Sequence, residues 1–276
     1  MTVRDFPVGT LGHRAAEWLA GQHLDPVEPR RAATVMLVRD GSRSAVEVFM
    51  LRRVASMAFA PRMWVFPGGG VDPRDDEPDL PWAGPTPSEW AERLGCEEGL
   101  ARALVCAAVR EVFEECGVLL AGPSADTVVA DLRDPEWDRE RAALLAREQS
   151  FAQLLVRRGL VLRSDLLSAQ GHWLTPAFEK RRYDTWFFAA LLPDGQIPDD
   201  DTTEAEVADW TDPRALLDAY ATGEALLLPP TIVSVETVAA ATSARALVGA
   251  PGSTQPIEPW LVEVDGTVVI RADLPS

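Results

Sequence analysis

The sequence predicts an α/β protein built on one mixed sheet with helices packed on both faces, and three observations carry that expectation. Strand-like and helix-like runs are interspersed along the chain without a repeating βα unit. No internal repeat with the period of a solenoid or propeller is present. The 276 residues, 47 % hydrophobic and 25 % charged, suffice for one sizeable core with extensions but not comfortably for two average domains.

Taken in order, residues 1–29 read as an N-terminal extension with a short helical stretch from His13 to Ala20. The main domain is placed at 30–245. Its first strand is Ala33 to Arg39, and Val46 to Arg52 is the hairpin partner across Asp40-Gly41-Ser42. Met63 to Phe66 reads as a third strand, halted by Pro67-Gly68-Gly69-Gly70. Residues 71–97, rich in Asp and Pro and without apolar periodicity before Ser88, read as an insertion that makes a surface excursion near a cleft mouth. Gly99 to Cys116 has helical periodicity, with Gly117 as its C-cap, and the apolar run Val118 to Leu120 follows. Helices are expected at Asp138 to Arg147, Phe151 to Arg157, Pro213 to Ala221 and Thr231 to Ala241, and strands at Trp173 to Thr175, Tyr183 to Leu192 and Glu204 to Trp210. Residues 246–276 form a tail whose runs Ile257 to Val264 and Thr267 to Arg271 suggest a hairpin turned at Asp265-Gly266.

Composition narrows the function. The net charge of −17 disfavours sequence-independent binding to nucleic acid, which needs a basic surface to release counterions. No stretch approaches the roughly 20 apolar residues of a membrane span, and the first residues lack the apolar core of a secretory signal. Cys96, Cys106 and Cys116 match neither a zinc nor a disulfide pattern and read as small buried hydrophobes, which suits a cytoplasmic location. An acidic protein that takes a phosphate substrate needs either a local Arg cluster or bound divalent metal held by carboxylates.

The segment Arg110-Glu111-Val112-Phe113-Glu114-Glu115-Cys116-Gly117-Val118 supplies such carboxylates. At about 100° per residue, Glu111, Glu114 and Glu115 fall on one helix face, while Val105, Val109, Val112, Phe113 and Cys116 lie opposite. Like charges at this spacing repel, and they sit near the helix C-terminus, where the macrodipole also disfavours anions. A hard divalent cation would offset both effects.

This segment resembles the second half of the Nudix signature, Arg-Glu-apolar-any-Glu-Glu-any-Gly-apolar, at every specified position. Phe66-Pro67-Gly68-Gly69 resembles the strand end and glycine turn that open it. The resemblance implies a Nudix-type α/β/α sandwich with a mixed sheet, plus N-terminal and C-terminal extensions. From Gly69 to Arg110 there are 41 positions, far more than the family's spacing, so the box is split. The family's additional Glu, eight positions before the Arg, falls by counting back on Arg102 and is absent there; Glu97 or Glu98 could substitute only with a remodelled helix start. The long insertion, Arg53 to Pro61, and Trp173-Leu-Thr-Pro176 followed by Arg182 to Phe188 resemble the peroxisomal coenzyme A diphosphatase branch. Met57 and Ala58 stand where coenzyme A hydrolases often carry a Leu-Arg pair.

What the resemblance implies is a metal-dependent hydrolase that cleaves the pyrophosphate of a nucleoside diphosphate joined to another group. Coenzyme A or acyl-coenzyme A leads the candidates, with NADH and ADP-ribose beside them. The alternatives are a nucleoside triphosphate pyrophosphohydrolase and a non-catalytic Nudix-fold ligand sensor. Glu111, Glu114 and Glu115 with the Gly68 carbonyl would hold Mg²⁺ or Mn²⁺, Arg110 would orient the carboxylates, and Glu204 or Glu111 would act as base. Arg53, Arg182 and Gly69 are the expected substrate contacts, no nucleic acid or membrane is an expected partner, and a homodimer is left open. His172 has no sequence partner for a catalytic triad and reads as structural.

Overall fold

A computed structural model describes residues 1–9, 12–19, 21, 26–55, 60–199 and 205–275. Its elements in chain order are β1 (Thr2–Pro7), α1 (Gly12–Leu19), β2 (Arg30–Asp40), β3 (Val46–Arg53), β4 (Trp64–Val65), β5 (Gly68–Gly70), β6 (Trp82–Ala83), α2 (Pro87–Leu94), α3 (Glu98–Cys116) and β7 (Ala121–Gly122). These are followed by α4 (Pro135–Leu145), α5 (Phe151–Arg158), β8 (Val161–Arg163), β9 (Leu167–Leu174), β10 (Tyr183–Leu191), β11 (Ala205–Thr211), α6 (Pro213–Ala221), α7 (Pro229–Ala240), α8 (Ala244–Val248), β12 (Pro256–Ile257), β13 (Trp260–Val264) and β14 (Thr267–Leu274).

The principal sheet runs β11-β3-β2-β10-β9-β12, with β4 paired to β3 and β5 to β2. It is mixed: β10 lies parallel to β2 and β12 parallel to β9, while the remaining pairs are antiparallel. Period-2 alternation along its strands splits the interior into two cores. Ala33, Val35 and Leu37 of β2, with Trp186 and Phe188 of β10, face α3. Met36 and Val38, with Phe187 and Ala189, face Leu216, Ile232, Val235 and Leu247 of α6 to α8. Helices thus cover both faces, as the α/β/α expectation required.

The insertion departs from the surface excursion expected of it. Leu80, Trp90 and Leu94 are buried in the first core, so α2 is laid on α3 instead of standing out in solvent. α2 starts with a capping box, Thr86 with Glu89, and stops at Gly95 in the left-handed conformation. One apolar face of eight residues was too short a pattern to stand out among the Pro and Asp around it.

At the chain ends the expected hairpin forms, and its pairing with the N-terminus is an addition to it. β14 reaches Leu274, turns from β13 at Asp265-Gly266, both with positive φ, and pairs along its other edge with β1 from Thr2↔Leu274 to Pro7↔Val269. N-terminal extension and C-terminal tail therefore make one three-stranded sheet, and Phe6, Ile270 and Ala272 join the second core. Thr2–Pro7 carries Arg4 and Asp5 among its apolar residues, which hid it as a strand.

Candidate active site

The acid-bearing helix is α3, buried for most of its length and closed by Gly117 at φ 65°, a left-handed C-cap that glycine adopts without strain. Its last two turns lie against β5. The Gly68 N–H donates to Glu115 Oε2 at 2.9 Å. At Gly69 a Cβ would stand 2.5 Å from Glu111 Oε1, so only glycine lets the carboxylate approach this close to the backbone. Gly69, expected to touch substrate, also lines the cavity described below.

Arg110 organises the acids. Its Nε and Nη2 donate to the two oxygens of Asp75 at 2.9 Å each, and Nη2 also donates to Gly70 O at 2.9 Å. Nη1 donates to Glu111 Oε1 at 2.8 Å and to Glu114 Oε2 at 3.0 Å. All five guanidinium donors are used. Asp75 is buried, sits in a 3-10 turn (Pro73–Asp76) capped by Asp72, and also accepts from Asp72 N at 2.8 Å.

Asp75 is the residue that counting back from Arg110 missed. Arg102 is instead tied to Asp76 at 3.0 Å. Counting forward finds Asp75 six residues after Gly69, the offset at which the family's additional acid stands. Asp75 thus lies within the 71–97 stretch, whose remainder separates it from Arg110 in sequence but not in space.

The cluster is electrostatically strained. Burial pushes the Glu111 carboxyl up to about 7; Arg110 opposes the rise and Glu114 adds to it. Glu114 is raised as well, first by burial and against the pull of Arg110. Burial would lower Arg110, but its bonds to Asp75 and the nearby Glu111 and Glu114 charges raise it. Asp75, Glu111 and Glu114 share the Arg110 guanidinium, and Arg141 stands beside Glu114 and Glu115. Among the described residues no three Asp, Glu, His or Cys side chains meet in an arrangement that would hold a metal ion. Arg110 Nη1 stands between Glu111 and Glu114, while Glu115 is turned to Gly68.

A cavity of about 1500 Å³ connects these groups to the far side of the sheet. One end holds Glu111, Glu114, Glu115, Asp72 and Arg141. The other is walled by Met63, Phe66, Phe187, Leu228, Pro259 and Ile270. Arg53 lines it, and its buried Nε has no hydrogen-bond partner. Arg182 is not in the wall: it is buried and donates to Thr175 O at 2.9 Å, Val27 O at 3.2 Å and Glu258 at 2.5 Å, a clamp between segments instead of a phosphate ligand. His172 is buried, stacked on Trp186 at 3.8 Å and bonded to Asp184. Glu204, Met57 and Ala58 lie outside the described residues. No described helix is long and apolar enough to cross a membrane.

Comparison with known proteins agrees with this geometry. A family model described as NUDT19 Nudix domain matches residues 91–238, more than half of the chain. Putative nudix hydrolase 7 of Caenorhabditis elegans is 30 % identical over 203 residues, 74 % of this chain and 58 % of that protein. Acyl-coenzyme A diphosphatase NUDT19 of Xenopus laevis is 25 % identical over 229 residues, 70 % of this chain and 59 % of that protein. The chain thus spans somewhat under two thirds of the length of these two relatives. The crystal structure of a Nudix hydrolase from Alicyclobacillus acidocaldarius superposes with a TM-score of 0.68 at 29 % identity, covering 82 % of this chain and 98 % of that one. With the Arg-Glu…Glu-Glu helix, the glycine turn beneath it and a split between them that the fold closes, the chain belongs to the Nudix family, in its NUDT19 branch.

Proposed function

We propose that the protein is a divalent-cation-dependent pyrophosphohydrolase acting on a nucleoside diphosphate conjugate, with coenzyme A and acyl-coenzyme A as the first compounds to test. The observation that carries this reading is the single cavity that joins the buried acid cluster to an apolar end. At about 1500 Å³ it exceeds the roughly 300–1,000 Å³ of common ligand pockets. A plain nucleoside triphosphate would leave its apolar end unfilled. The relatives named acyl-coenzyme A diphosphatase support the same choice.

The donor set fits a hard cation: its acids are oxygen ligands, at least partly buried, and Glu111, Glu114 and Glu115 line one cavity. When bound, Mg²⁺ or Mn²⁺ would neutralise phosphate charge and make water a better nucleophile. Glu111, Glu114 and Glu115 would hold it, and Arg110, fixed by Asp75 and Gly70 O, keeps Glu111 and Glu114 in place. A base must take the proton from the attacking water. Glu111 and Glu204 are the two candidates. Arg53 would offer its charge to a phosphate from the cavity wall, a geometry-sensitive contact for which a guanidinium is well suited.

The test is a panel of coenzyme A, acyl-coenzyme A, NADH, ADP-ribose and nucleoside triphosphates, each with Mg²⁺ and Mn²⁺, with products resolved by mass. A higher kcat/KM on a conjugate is expected. Preference for triphosphates would overturn the substrate class, and no turnover of any compound with metal present would overturn the enzymatic reading.

A further inference from the structure

The last four carbonyls of an α-helix have no partner within the helix. In α3 all four have found one. Phe113 O accepts from Gly117 N at 2.9 Å and Cys116 O from Asp199 N at 2.8 Å. The two between them share one donor group: Glu114 O accepts from Arg141 Nε at 2.6 Å and Glu115 O from Arg141 Nη2 at 3.1 Å. Arg141 reaches across from α4 with its side chain only 13 % exposed, and its Nη1 is ion-paired with Asp199. Both residues line the cavity beside Glu114 and Glu115.

This placement matters because the bonded carbonyls belong to Glu114 and Glu115 themselves. A last turn without such bonds frays, and fraying here would move the backbone from which two of the acids project. The negative end of the helix macrodipole adds to the repulsion among them, and the Arg141 charge offsets that locally. Asp199 holds the guanidinium from its other side, at the end of the segment that leads in sequence to Glu204. A planar fork can satisfy two carbonyls and a carboxylate at once, which a lysine ammonium at the end of a flexible stem does less well.

We propose that Arg141 is a positioning residue for the reaction: it locks the final turn of α3 and thereby sets how tightly Glu114 and Glu115 bind the divalent cation. The inference rests on the metal-dependent reading above. Geometry and charge make opposite demands here, which renders it testable. If Arg141 acted by charge alone, removing a cation from beside the acids would tighten metal binding. If it acts by positioning, removal weakens binding.

The experiment is calorimetric titration of Mn²⁺ into the full chain as wild type, Arg141→Gln and Arg141→Lys, alongside kcat and KM at saturating Mn²⁺. Arg141→Gln should bind Mn²⁺ about tenfold or more weakly, the scale of losses when partners of metal ligands are removed. Its kcat should fall while KM for the conjugate stays unchanged. Arg141→Lys, which keeps the charge but not the fork, should also bind Mn²⁺ more weakly than wild type. Unchanged or tighter Mn²⁺ binding by folded Arg141→Gln overturns the proposal. Should that variant not fold, wild-type affinity in Arg141→Lys overturns it instead. A wild type that takes up no Mn²⁺ overturns both this and the metal-dependent reading, whereas wild-type binding with unaffected variants overturns this inference alone.

Discussion

Asp75 and Arg110 show how one pair of residues can hold a site together. Asp75 is buried and gives Arg110 two of its five bonds, so Asp75→Ala leaves a buried guanidinium short of its counter-ion. Breaking a buried pair in this way costs about 3–5 kcal/mol. Denaturant unfolding should show that loss, and Asp75→Asn, which keeps an acceptor, should lose less. Glu115→Gln acts on a different quantity. It should lower kcat by more than the roughly 10- to 100-fold typical of outer partners while leaving stability close to wild type, as read by steady-state rates and thermal melts. The raised Glu111 carboxyl gives a pH test. Its folded value of about 7 lies above the ordinary 4.5, so the folded state holds a proton that the unfolded chain releases. The stability from that proton is fully present below the ordinary value and is lost as pH rises through about 7. With EDTA present, Tm should therefore decline between about pH 5 and about pH 8, and Glu111→Gln should flatten the slope. A slope unchanged by that substitution would assign the decline to other groups.

At the scale of elements, α3 was legible and α2 was not. The 3.6-residue period of Val105, Val109, Val112 and Cys116 and the glycine after it located α3 to within one residue of its observed start. α2 has eight residues and only Trp90 and Leu94 as large buried anchors, and its Pro-rich flanks read as loop. Yet Trp90 has no exposed surface and makes an edge-on contact with Phe188 of β10 at 5.9 Å. Trp90→Ala should cost about 3–5 kcal/mol, as for other fully buried aromatics. Because α2 packs on the helix that carries the acids, the loss should be accompanied by weaker metal activation. A surface excursion would instead tolerate the change at under about 0.5 kcal/mol.

Across the whole molecule, the C-terminal segment contributes to the wall of the cavity, and β1 pairs along its last strand. β1, β14 and β13 place Ile270 beside Phe66 and Met63, and Pro259 enters from the preceding segment. A chain ending at residue 255 would strip that wall and expose Phe6. It should melt at a lower temperature, and if it folds it should lose kcat/KM on acyl-coenzyme A more than on a triphosphate. Equal losses on both would show that the wall supports the fold without contacting the conjugate.

The sequence by itself determined the α/β class, the acid helix and its facing, and the glycine turn. Each is local: a hydrophobic period, a cap, or a run of residues whose backbone or charge requirement is written in neighbouring positions. Only the tertiary structure decided that Asp75 completes the Arg110 cluster across an insertion, that Arg182 is a clamp, that Arg141 closes the acid helix, and that the two termini pair. Apart from the Arg182 bond to Thr175, those contacts join residues from 26 to more than 260 positions apart. No periodicity encodes such pairs, because they depend on which faces the two cores bring together once apolar surface has been buried.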